Sequence, residues 1–161
     1  SLISSKSSKI LCGLSWLTTN PSNFFKRNID IVKFFQFLPR DKFSFINLQY
    51  GISNDDLIEL RNNYGIEIYN FSQINLFQNI DAQAALIDAC DVVVSIANSV
   101  AHLSSSLNKK TKVILPKVCD WRWGLNDNKS FWYKNTKLYR QEDFSNWDYV
   151  YKKISDDLKN L

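Results

Sequence analysis

At 161 residues, 45% hydrophobic and 14% aromatic, the chain can bury one substantial core and falls within the size of a single domain. Four glycines, three prolines and 22% charged residues exclude a disordered or collagen-like polymer. The net charge of +4 comes from lysines scattered among acids without a dense basic stripe, which excludes nucleic acid as a partner. It leaves a small anion, such as a nucleoside diphosphate, or an ordinary solvated surface.

Residues 1–8, SLISSKSS, read as a leader or linker ahead of one domain over 9–161. ILCGLS, ending at Trp16 and followed by polar TTNPSN, predicts a strand and then a loop. Apolar residues at Ile31, Val32, Phe34, Phe35 and Leu38 predict a helix over 30–38 that Pro39 stops. FSFINL at 43–48 alternates and predicts a strand. Ser53 with Asp56 three residues on forms a capping box with Asp in place of Glu, opening a helix that runs to about Tyr64 and Gly65. A short strand at 66–69 follows, then a helix opened by Asp81. DVVVSI at 91–96 is a continuous β-branched run, the pattern of a strand covered on both faces. Asn98 or Ser99 then caps the helix SVAHLSSSL, and a strand at 111–115 ends at Pro116. An aromatic loop spans 117–135, a last strand lies at 137–139, and from residue 145 onward Trp147, Val150, Tyr151, Ile154, Leu158 and Leu161 make one helical stripe.

Strand and helix alternate about five times with short connections, which predicts an α/β fold: a Rossmann-like open parallel sheet with helices on both faces. The three cysteines, Cys12, Cys90 and Cys119, have no CxxC spacing, and only one histidine occurs. A disulfide framework and a histidine metal site are therefore not expected, and the compartment is expected to be reducing. No apolar run reaches membrane-spanning length and the start lacks a signal-peptide core, so a cytoplasmic address is expected. The sequence contains no methionine even at position 1, as an excised piece of a longer protein would.

In such sheets ligands bind beyond the carboxyl ends of strands, where the next helix presents free backbone N–H groups. The strand DVVVSI runs into Ala97, Asn98, Ser99 and Val100, whose amides would point at an anion with the helix dipole behind them. On spacing alone, Asn98 and Ser99 also read as a plain helix cap. His102, one turn inside, is either a donor to a phosphate or sugar oxygen or a packed residue. At a second strand end, Ser15 and Trp16 precede Lys26 and Arg27, cations that either neutralise a diphosphate or coat a helix start. No GxGxxG or Walker motif is present. Trp121, Trp123, Trp132 and Tyr133 read as a sugar platform or, by the commoner pattern, as loop packing with Arg122 held among them.

The stretch 92–141 resembles the carboxyl-terminal signature of bacterial tetratricopeptide-repeat proteins whose catalytic part is similar to family 9 glycosyltransferases, the ADP-heptose heptosyltransferase superfamily. The matching parts are SVAHL at 99–103, LP at 115–116, DWRW at 120–123, FWY at 131–133 and LYRQ at 138–141. GLSW at 13–16, Lys26 with Arg27, and NLQYG at 47–51 agree as well, so the resemblance covers nearly all of the chain from about Lys9.

The resemblance implies a GT-B architecture, with this chain as the C-terminal, donor-binding half and the N-terminal acceptor domain outside it. It implies an inverting, metal-independent glycosyltransferase that takes a nucleoside-diphosphate sugar as donor substrate, with no separate cofactor. The diphosphate would lie on the helix start at 98–102 under the loop 15–19, Arg122 would join the two basic residues in stabilising it, and Gln49 and the Asp81 loop would reach ribose or base. The base that deprotonates the acceptor hydroxyl would come from the other half. In one departure, the family's Asp-Thr before SVAHL is here Ala97 and Asn98, which removes a carboxylate from the donor-sugar site. The alternative is therefore a non-catalytic nucleotide-binding or protein-interaction module associated with tetratricopeptide repeats.

Overall fold

The computed structural model describes residues 9–18, 27–125, 127–144 and 146–161. The leader at 1–8, Thr19 and Lys26 lie outside the described residues. Within them one six-stranded sheet forms, every pairing parallel, from β1 (Ile10–Ser15), β2 (Phe43–Asn47), β3 (Ile68–Tyr69), β4 (Val92–Ile96), β5 (Lys110–Leu115) and β6 (Thr136–Arg140). Helices alternate with them: α1 (Ile31–Phe35), α2 (Asn54–Tyr64), α3 (Ile80–Ala89), α4 (Ser99–Ser106) and α5 (Asp148–Lys159). This is the expected α/β Rossmann-like open sheet.

Strand alternation sorts the core into two layers. Cys12, Leu14, Phe45, Val92, Val94, Ile96 and Ile114 face α1, α2 and α5 and meet Phe34, Leu57, Tyr151 and Ile154. On the other face Ile46, Leu48 and Val93 meet Leu86 and Ile87 of α3, while Val113, Leu115 and Leu138 meet Ala101 of α4 and the indole of Trp123. Because both faces are covered, β2 is buried at every position, where the sequence predicts alternation.

Local chemistry sets the helix ends. Ser53 and Asp56 form the expected reciprocal cap on α2, and Gly65 closes it at φ 62°, a left-handed conformation that glycine adopts without cost. Asn79, not Asp81, opens α3 by accepting from the Ala82 amide; Asp81 sits exposed in the first turn. Helix α1 stops at Phe35, short of Pro39, because the Gln36 amide turns back to the Lys33 carbonyl and the chain enters a 3₁₀ turn at Arg40–Lys42.

The strand order is β3-β2-β1-β4-β5-β6. From β1 the chain winds outward to β2 and β3, then returns to β4 and winds the other way. Connections therefore leave β1 and β4 in opposite directions and open a crevice beyond their carboxyl ends. Ser15 of β1 pairs with Ser95 of β4 just below it. No helix among the described residues is long and apolar enough to cross a membrane.

Candidate functional site

The floor of this crevice is a chain of side-chain amides and hydroxyls. Gln49 Oε1, at the end of β2, accepts from Ser15 Oγ (2.9 Å), the Trp16 amide (3.1 Å) and the Leu17 amide (2.9 Å). Its Nε2 donates to the Tyr50 carbonyl at 2.7 Å. Asn98 Nδ2 donates to Ser15 Oγ at 2.8 Å, and Ser95 Oγ donates to Asn98 Oδ1 at 2.9 Å. Backbone from both sides of the crevice is thereby stitched together.

This arrangement corrects the expectation of open amides. Asn98 is extended (φ −139°, ψ −171°), which lays its Oδ1 over the start of α4 to accept from Val100 N at 3.0 Å and Ala101 N at 3.3 Å. The Asn98 amide itself bonds the Ile96 carbonyl at 2.8 Å. Of the amides read as anion donors at 97–100, those of Ala97 and Ser99 have no acceptor among the described residues; Ala97 is buried and Ser99 is exposed. The corner is capped by its own side chain, the arrangement that spacing alone suggests.

Two further placements differ from the sequence reading. The Trp16 indole is buried in the core with Ile31 and Phe34 rather than in the crevice, since position 16 continues the inward alternation of β1 past Leu14. Gln49 is 1% exposed and spends both ends of its amide on the protein, acting as a brace. Beside it, however, lies a cavity of about 280 Å³ at the ends of β2 and β3, lined by Asn47, Asn54, Asn70, Asn75, Tyr50 and Phe77. The asparagines sit at strand ends and in the segments that follow them, a placement that their spacing alone does not reveal.

Of the cations expected at the site, Arg27 and Arg122 lie among the described residues. Arg27 Nη1 reaches across the crevice to the Ala97 carbonyl at 3.1 Å. Arg122, in the 3₁₀ turn Trp121–Trp123, pairs with Asp120 Oδ2 at 2.7 Å and lies over the Trp121 ring. A hydrogen bond from the Arg122 amide, with the charges of Arg122 and Arg27, holds the Asp120 carboxyl below its ordinary value. Arg27, Asp120 and Arg122 thus share one electrostatic neighbourhood with His102.

His102 is half-buried, its ring stacked on Trp123 (centroids 4.6 Å apart, planes 25° apart) with Nδ1 3.0 Å from the Tyr133 hydroxyl. Burial, and then the charge of Arg122, hold its pKa below the ordinary imidazole value against the opposing pull of Asp120, so the ring is neutral near pH 7. Of the aromatic group, Trp123 packs into the core as expected, whereas Trp121 and Trp132 are 72% and 64% exposed.

Among the described residues no group of three His, Cys, Asp or Glu side chains is placed to hold a metal ion. No family model matches the chain. The chain is similar to protein FlbA of Caulobacter vibrioides, with 24% identity over 117 residues, which is 73% of this chain and 19% of that protein. It therefore spans about a fifth of the length of the relative it matches.

Proposed function

We propose that this chain is the donor-binding, C-terminal domain of an inverting, metal-independent GT-B glycosyltransferase of the cytoplasm, holding the diphosphate of a nucleoside-diphosphate sugar across the ends of β1 and β4. The observation that carries the reading is the convergence, at the switch point of the sheet, of the α4 start, Arg27 on the Ala97 carbonyl, and Arg122 near His102. Cleavage of a sugar–phosphate bond leaves growing negative charge on the departing diphosphate. Two guanidinium groups and the Ser99 amide stabilise that charge more as it grows, which is what lowers the barrier. The cavity beside Gln49, rimmed by asparagine amides and the tilted Tyr50–Phe77 ring pair at 5.5 Å, suits a ribose and base. An acceptor domain outside this chain supplies the base, and tetratricopeptide repeats are its expected neighbours.

A second reading is favoured by one specific feature, the Asn98 side chain lying on two of the amides that a phosphate needs. On that reading, with Ala97 in place of the family carboxylate, the domain is a non-catalytic nucleotide-binding or interaction module beside repeats. Thermal unfolding with UDP, ADP and GDP tests the first reading: a ligand at a hundred times its dissociation constant stabilises the fold by about 2.7 kcal/mol. Failure of all three at millimolar concentration refutes donor binding. Ser99→Pro places proline at the first helical position behind an extended residue, where the fold tolerates it, and removes the exposed amide that has no acceptor among the described residues. The expected result is an unchanged melting point without ligand and a lost ligand shift.

A further inference from the structure

His102 has two ring nitrogens and the surrounding protein treats them differently. Nδ1 lies 3.0 Å from the Tyr133 hydroxyl, while Nε2 has no hydrogen-bond partner among the described residues. The ring cannot exchange these edges freely. One face lies on Trp123, itself 2% exposed and fixed among Ala97, Ala101, Val113, Leu115 and Leu138. The Tyr133 ring stands edge-on at 5.9 Å, and its own loop is tied by the Tyr133 amide to Ser130 Oγ at 3.3 Å and by the Thr136 amide to the Tyr133 carbonyl at 3.4 Å.

Between a phenol and a neutral imidazole, the phenol is the stronger acid and the bare ring nitrogen the stronger base. O–H···Nδ1 is therefore the better of the two possible hydrogen bonds, and it leaves the ring proton on Nε2. Reversing the pair would make imidazole N–H donate to a weakly basic phenol oxygen and would expose a bare nitrogen to an anion.

We infer that Tyr133 is a positioning residue: its hydroxyl donates to His102 Nδ1, fixes the imidazole in the Nε2–H tautomer, and so gives the crevice a hydrogen-bond donor for phosphate oxygens. The ligand in this statement rests on the nucleotide reading above; the hold of Tyr133 on the ring does not.

The chain has a single histidine, so uniform ¹⁵N labelling of histidine in the full chain yields one imidazole spectrum. Above neutral pH the two-bond ¹H–¹⁵N correlation is expected to show a protonated Nε2 and a bare Nδ1. Tyr133→Phe keeps the aromatic ring and is expected to move the ring toward a mixture of tautomers, a change that a merely space-filling tyrosine would not produce. A wild-type proton on Nδ1, or a Tyr133→Phe spectrum identical to wild type, overturns the inference; the first of these needs no variant to fold. Titration with UDP, ADP and GDP is expected to shift the Nε2 resonance, and Tyr133→Phe to weaken binding about three- to tenfold, the worth of one hydrogen bond. An intact Nε2–H tautomer that no nucleotide perturbs sinks the nucleotide reading while the role of Tyr133 in holding the ring stands.

Discussion

Replacing Asn98 with glycine separates the two duties of the β4–α4 corner. The side chain makes two bonds to the helix start, at 3.0 and 3.3 Å, one to Ser15 at 2.8 Å, and takes one from Ser95 at 2.9 Å. Glycine at a cap typically costs only a few tenths of a kcal/mol, and the extended backbone at 98 suits it. Loss of the Ser15 and Ser95 partners adds about 1 kcal/mol, so a drop of about 3–6 °C in melting temperature is expected for a domain of this size. Binding should move the other way. A diphosphate that takes the Val100 and Ala101 amides must first displace Asn98, at a cost of about 1–3 kcal/mol that glycine removes, so affinity rises about five- to hundredfold. Calorimetric titration of both chains with the nucleoside diphosphate that gives the largest thermal shift measures this. A variant that melts lower as expected yet binds no more tightly than wild type refutes the placement of the diphosphate on this helix.

Other perturbations test the surroundings. Asp157 of α5 holds Lys112, whose Nζ lies 3.6 Å away and 3.0 Å from the Tyr139 hydroxyl, and also bonds Lys137 and Tyr139. Burial raises the Asp157 pKa, but these donors and positive charges outweigh it and keep the carboxyl below its ordinary value. Asp157→Asn leaves Lys112 buried without a counter-charge and should cost about 1–3 kcal/mol in urea unfolding, the lower part of the range because Asp157 is partly exposed; adding Lys112→Met should recover most of it. If the double variant is no more stable than the single one, the pair is not what α5 depends on. Because the folded-state pKa of His102 lies below its unfolded value of about 6.5, the unfolded chain binds the proton first as pH falls. Its contribution to stability is therefore complete above that value and is lost on descending toward the folded pKa. His102→Gln should flatten the wild-type decline in urea midpoint between about pH 7 and pH 5, and equal slopes in the two chains would remove His102 as its source. Ala97→Asp should destabilise by about 1–3 kcal/mol, since residue 97 is 3% exposed among Ala101, Val113 and Trp123; an unchanged midpoint would show that the corner has room for the charge.

Legibility followed periodicity. The runs at β1, β4 and β5 and the stripe on α5 are strong enough in one dimension that their elements fall within a few residues of the expected bounds. The α2 cap was readable because Ser53 and Asp56 are local partners. The crevice could be placed at 97–102, since any parallel sheet puts helix starts beyond strand ends. What it contains could not be read there. Gln49 meets Ser15 across 34 positions and Asn98 meets Ser15 across 83, and each pairing depends on strand order rather than on spacing. Trp121, Trp123 and Trp132 are chemically alike, and only the loop path decides that Trp123 turns inward while the other two face solvent.

The closed corner explains how one residue type bears on both readings of the site. A primary amide accepts at one atom and donates at the other, so Asn98 accepts from the helix amides and donates a hydrogen bond to Ser15, as Gln49 accepts from the Trp16 and Leu17 amides and donates to the Tyr50 carbonyl. A carboxylate at 98 would accept from the helix but face the Ser15 oxygen with another acceptor. The crevice is in this way neutralised without a charge, while Arg27 and Arg122 at its edge keep their attraction for an anion. Hydrogen bonds from backbone amides to an ionised oxygen are about twice as strong as those to a neutral one. On the proposed reading, a diphosphate would outcompete the Asn98 oxygen for the Val100 and Ala101 amides where an uncharged ligand would not.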